Sequence, residues 1–154
     1  TGLHASGKND LAYKLERYLF DQGRTVIVLN GSMLRSGLNR ELGFDKADRD
    51  ENLRRVAEMA KLLNDQGLIV IAVFISPDRE TRLQVKEIIG SARYKEIFID
   101  TSIEDCQSRD TEGLYEKAVD GKLRYFPGVD SPYESGTADI ILNDLDQVDI
   151  KDLI

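Results

Sequence analysis

The chain has 154 residues, 41% hydrophobic and 32% charged, the size and balance of one globular domain that buries its own core. Its net charge of −7 excludes a nucleic acid gripped through its backbone, so any anion site is local. The single cysteine, Cys106, rules out an internal disulfide framework and fits a reducing, cytoplasmic setting, and the longest apolar run, Leu68 to Ile75, is too short to span a membrane.

The chain opens on Gly2-Leu3-His4-Ala5-Ser6-Gly7-Lys8-Asn9. Gly, four residues, Gly, Lys, then Ser or Thr is the phosphate-loop pattern, and every position but the last fits. Gly2 and Gly7 let the backbone approach a phosphate, the N–H groups and the following helix supply positive potential, and Lys8 would reach the β- and γ-phosphates. Asn9 stands where a hydroxyl would hold Mg²⁺, which leaves it a weak metal ligand. His4, the only histidine, reads as a loop bystander rather than a catalyst. Such a loop follows a buried strand, and only Thr1 precedes Gly2, so an upstream strand is expected to be missing from the sequence.

Leu11, Leu15, Tyr18 and Leu19 mark one face of a helix over Lys8–Gln22, closed by Gly23. Thr25–Leu29 reads as a buried strand. The turn Asn30–Asn39 follows, and it either faces a substrate through Arg35 or is merely solvated. Asp45–Asp65 is a long helix, Leu68–Ile75 a second buried strand, and Arg79–Ile89 a helix with Ser76 and Pro77 as cap and first position. Glu96–Ile99 is a third strand and Ser102–Arg109 a short helix carrying Cys106, whose place in an amphipathic segment suggests packing rather than redox chemistry. Asp110–Tyr133, rich in Gly and Pro, breaks the alternation and reads as a mobile lid. Ile140–Leu142 is a last strand, and Asp149–Ile154 the start of a helix. The alternation predicts an α/β fold, a P-loop NTPase-type parallel sheet flanked by helices. It forms one domain over 1–154 with a lid over about 110–133 and ligands beyond the carboxyl ends of the strands.

The segments together resemble the adenylylsulfate (APS) kinase family, from Gly2 to about Glu134. The likeness rests on the loop, Arg35-Ser36-Gly37-Leu38-Asn39 with Glu41-Leu42-Gly43-Phe44, Asp48-Arg49 with Glu51-Asn52 and Arg54-Arg55, and Ile75-Ser76-Pro77 with Arg79. Ile99-Asp100-Thr101, Arg109-Asp110 with Gly113-Leu114-Tyr115, and Phe126-Pro127-Gly128-Val129-Asp130 with Pro132-Tyr133-Glu134 complete it. Those enzymes use ATP to phosphorylate the 3′-hydroxyl of APS, giving PAPS. The resemblance implies that Gly2 to Asn9 and Arg109 hold ATP with Mg²⁺. It implies that Arg35, Arg49, Asn52, Ile75, Ser76 and Arg124 surround APS, and that Phe44 and Phe126 sandwich its adenine. Homo-oligomerisation is a further expectation.

Two departures bear on catalysis. Active members of that family carry Asp-Gly-Asp where this chain has Asn30-Gly31-Ser32, and Ser or Thr at Asn9. Lys8 and Ser76 remain as catalytic candidates, while Asn30 and Ser32 are neutral at the positions of family carboxylates. Losing a general base costs about 10²–10⁴ in rate. Two readings stay open: an APS kinase of impaired activity, or an inactive APS- or PAPS-binding domain that regulates an ATP sulfurylase in cis or in trans.

Overall fold

In the computed structural model every residue except Thr137 is described. Helix α1 (Lys8–Asp21) buries Leu11, Ala12 and Leu19, and Gly23 turns the chain out of it at φ +72°. Strand β1 (Val26–Asn30) pairs in parallel with β2 (Ile69–Val73), in register from Val26 with Ile69 to Asn30 with Val73. Between them run the short α2 (Gly31–Ser36) and the long α3 (Lys46–Asp65), capped by the Asp45 carboxylate on the Asp48 N–H. Helix α4 (Arg79–Ile89) packs beside α3. Strands β3 (Ile97–Ile99) and β4 (Ile140–Leu142) form a second parallel pair, connected through α5 (Ile103–Ser108) and α6 (Leu114–Val119).

The two half-sheets meet at Thr1 and Gly2. The Gly2 N–H donates to Ile75 O at 3.4 Å, and the Ile99 N–H donates to Thr1 O at 3.0 Å. One side of this junction packs Leu29, Leu34, Leu53, Val56 and Phe74, and the other packs Leu11, Ile99 and Leu153. Beside it, a cavity of about 350 Å³ lies between β2 and β3, walled by Leu15, Val56, Ala57, Val70, Ala72 and Ile97 and reaching Thr1. The expectation that β2 is wholly buried therefore fails: Ile69 is 37% exposed, because no strand pairs along that edge among the described residues.

Four other local expectations are corrected. The turn after β1 holds a helix, α2, begun by an Asn30 cap. Residues 110–133 hold α6, which buries Tyr115 and Ala118. The segment 149–154 closes as a 3-10 turn over Ile150–Leu153, not an α-helix. Helix α4 starts at Arg79, outside Ser76-Pro77, because Ser76 adopts a left-handed φ of 45° that turns it away from the helix. The Glu134 carboxylate instead accepts the Arg79 N–H at 2.8 Å.

A buried Arg82 fixes that junction. Its guanidinium donates to Ser76 O at 2.8 Å, Pro77 O at 3.2 Å and Glu134 O at 2.6 Å. Nε lies 2.9 Å from Glu96 Oε1, a charge pair without good hydrogen-bond alignment. With both side chains under a tenth exposed, removing one partner strands a buried charge. Arg82→Met is expected to cost about 3–5 kcal/mol, and adding Glu96→Leu to recover most of it, both read by urea unfolding. A double variant no more stable than the single one would assign the cost to the lost carbonyl bonds rather than to the charge pair.

Candidate nucleotide site

The loop from Gly2 to Asn9 joins the sheet junction to α1. Gly2 is required by proximity: a Cβ there would lie 2.8 Å from Ile99 O. Gly7 is required by conformation, with φ +91° as it caps α1. Ala5 also takes a positive φ of 58°. The wholly buried Ser6 is tied down at its carbonyl by the Thr101 hydroxyl, 2.9 Å away, at the end of β3. Lys8 folds back to donate to Leu3 O at 2.8 Å. Burial lowers its pKa to about 8, because the charged ammonium loses water there.

A cavity of about 520 Å³ opens over the loop, lined by His4, Ala5, Gly7, Lys8 and Asn9 and on its far wall by Arg109. Arg109 Nη1 approaches to 3.9 Å of where a Gly7 Cβ would be. The loop residues and Arg109 are thus brought together as the sequence predicts, with Leu3 supplying the carbonyl that holds Lys8.

After β1, Arg35 donates to Leu42 O at 2.9 Å and Gly43 O at 2.7 Å, and its guanidinium stands 4.3 Å over the exposed Phe44 ring. Burial and the neighbouring Arg49 lower the Arg35 pKa, against Asp48. Arg49 donates to Phe44 O at 3.3 Å and Tyr125 O at 3.1 Å and pairs with Asp78 at 3.4 Å. Its Nε is buried with no hydrogen-bond partner among the described residues. Ile75 gives its main chain to the sheet junction, and Ser76 gives its carbonyl to Arg82.

Three further predicted residues have these surroundings. Asn52 is 3% exposed and accepts a bond from Asn39 Nδ2 at 2.9 Å. Phe126 packs edge-on to Tyr115 at 5.1 Å and to His4 at 6.0 Å, while Phe44 lies under Arg35; no ring pair joins the two phenylalanines among the described residues. Arg124 is exposed.

Asn30 Oδ1 accepts from the Met33 N–H and the Ser32 hydroxyl, both at 2.9 Å, and Asn30 Nδ2 donates to the Tyr13 hydroxyl at 3.2 Å. The end of β1 therefore presents a closed neutral cap. Asn9 is exposed on the first turn of α1, and no group of three or more His, Cys, Asp or Glu side chains forms a metal site among the described residues. Cys106 is wholly buried, as its packing reading requires.

Arg82 and the pairing of His4, read as a loop bystander, with Asp110 were not read from the sequence. Arg82 had a usable signal, a charge on the same helical stripe as Val85 and Ile89. His4 had none, since its partner lies 106 residues away.

A phosphate loop ahead of a helix, at the carboxyl ends of parallel strands flanked by helices, defines a P-loop kinase fold. The sequence profile of adenylylsulphate kinase matches residues 1–143, and the chain belongs to that family, a family of transferases. It is 48% identical over 149 residues to a probable adenylyl-sulfate kinase of Bacillus subtilis (strain 168), covering 97% of this chain and 76% of that protein. It is 50% identical over 135 residues to the bifunctional enzyme NodQ of Rhizobium meliloti (strain 1021), covering 88% of this chain and 21% of that protein. The Mycobacterium tuberculosis APS kinase CysC, solved in complex with AMPPNP and APS, superposes with a TM-score of 0.91 at 42% identity, over 99% of this chain and 88% of that one. No helix among the described residues is long and apolar enough to cross a membrane.

Proposed function

We propose that the chain binds ATP on the Gly2–Asn9 loop and APS beside Arg35 and Arg49, and transfers the γ-phosphoryl group slowly to the 3′-hydroxyl of APS, giving PAPS. The observation that carries the APS side is Arg49: a guanidinium held by three groups, with a buried Nε–H left over for an anion. On the ATP side, Lys8 supplies a desolvated ammonium and the loop N–H groups supply the cradle. Asn9 offers a neutral oxygen in the same cavity, a donor that Mg²⁺ accepts beside phosphate oxygens; the ion would neutralise charge on the β- and γ-phosphates. Positioning and charge stabilisation account for most of phosphoryl transfer, and this site keeps both on the substrate side. What it lacks is a carboxylate at the end of β1 to take the proton of the attacking hydroxyl.

The closed Asn30–Ser32–Tyr13 network favours a second reading, a domain that holds APS or PAPS without turnover and regulates an ATP sulfurylase. We further propose that chain ahead of Thr1 adds a parallel strand between β2 and β3, completing one domain in which residues 110–133 close over the nucleotides. The 350 Å³ cavity and the open edge of β2 support that strand.

Four measurements test these readings. Purified protein given ATP, Mg²⁺ and APS is expected to make PAPS slowly, and the combination Asn9→Ser, Asn30→Asp and Ser32→Asp to be about 10²-fold faster. An equal rate overturns the carboxylate argument, PAPS from neither protein with APS still bound supports the binding domain, and calorimetry showing no APS binding defeats both. Above pH 8 the free protein carries Lys8 neutral, so binding a triphosphate takes up a proton. AMPPNP affinity should then fall about tenfold per pH unit towards pH 10, and a flat profile removes Lys8 from the site. A Val- and Ile-rich strand joined ahead of Thr1 is expected to raise Tm by about 5 °C or more, and no rise speaks against the added strand.

A further inference from the structure

We propose that His4 is a positioning residue that ties the phosphate loop to the aromatic lid, so that the state of the loop sets where Phe126 stands. The inference rests on the reading of Phe126 as part of the APS pocket.

Three contacts converge on this side chain. His4 Nε2 lies 3.1 Å from Asp110 Oδ1, and that carboxylate is only 3% exposed. Asp110 also accepts the Tyr115 N–H at 2.8 Å and the Glu112 N–H at 3.1 Å, so it is the anchor of the segment that starts the lid and begins α6. The Tyr115 hydroxyl returns to His4 O at 3.0 Å. The loop and the lid are therefore bonded twice, once through the His4 ring and once through its carbonyl. The imidazole also stands against two rings, tilted to Tyr115 at 5.9 Å and edge-on with Phe126 at 6.0 Å, which themselves meet at 5.1 Å. Aromatic clusters of this kind hold geometry as well as burying area.

The consequence is mechanical. His4 lies between Leu3, whose carbonyl holds the Lys8 ammonium, and Ala5, which is held in a left-handed conformation. When a polyphosphate draws Lys8 away from Leu3 O, the backbone flanking His4 is released from that tether. A ring fixed to Asp110 and Phe126 carries the adjustment to the second substrate's stacking surface. A smaller side chain at this position keeps the loop but lacks the connection.

The test uses the full chain with substitutions on both sides of the contact. Hydrogen exchange without any nucleotide is expected to be at least fivefold faster at the Tyr125 and Phe126 amides in His4→Ala than in the unsubstituted protein, with global stability matched by urea melts. His4→Phe, which keeps the ring, is expected to restore most of the protection; should His4→Ala fail to fold, His4→Gln against His4→Phe makes the same comparison. Calorimetry then gives APS affinity with and without AMPPNP. The unsubstituted protein is expected to show a ratio of about 5 or more, the range of ordinary coupling between sites, and His4→Ala a ratio within twofold of one. Unchanged exchange in His4→Ala, a ratio near one in the unsubstituted protein, or an unchanged ratio in His4→Ala overturns the assignment. If the unsubstituted protein binds no APS, the reading of the pocket fails, and exchange alone still decides the role of His4.

Discussion

The domain depends on the close approach of two backbones at Gly2. A single residue without a side chain lets the main chain lie against Ile99 O, and through it β3 and β4 are joined to β1 and β2. The same two residues that hold the half-sheets together lead directly into the phosphate loop, so loop geometry and sheet integrity are one constraint. A Cβ at Gly2 would push on the backbone of β3, which cannot yield as a flexible side chain does, and would also crowd the buried Ser6 hydroxyl at 3.0 Å.

The second constraint is the guanidinium of Arg82. Backbone carbonyls that leave regular structure inside a protein need donors. Ser76, Pro77 and Glu134 all present such carbonyls, and one side chain satisfies them together. Its charge is then balanced by Glu96 at the entry to β3. This explains how Ser76 holds a left-handed φ without being glycine: three donated bonds over-determine the turn.

Most of the element order was legible in the sequence because its signals are local. The loop pattern, the spacing of Leu11, Leu15 and Leu19 and the β-branched strands each depend on neighbours within a turn or two. The misses share an opposite property. Helix α6 is stabilised by burying Tyr115 against the loop, and Ser76 is turned by Arg82 and Glu134. Each depends on residues distant in sequence or on a choice among polar partners that spacing does not encode. The candidate site divides the same way: the loop and Arg109 were readable, whereas the side chains bracing them were not.

The neutral end of β1 illustrates why fold and chemistry separate. An N-cap asks for a short side chain with an oxygen that accepts an N–H, and Asn, Asp and Ser meet that demand about equally. Asn30 does so with the Met33 N–H, and its amide adds a donor for Tyr13 that a carboxylate lacks. The cap is therefore indifferent to the charge at this position, while proton transfer from a hydroxyl depends on it. Arg35 and Arg49 are under a different constraint. They hold the carbonyls of Leu42, Gly43, Phe44 and Tyr125, so removing either would release the loops they brace. Arginines that brace these loops are therefore tied to the architecture, whereas the side chain at the end of β1 can be exchanged among good N-caps without disturbing the fold.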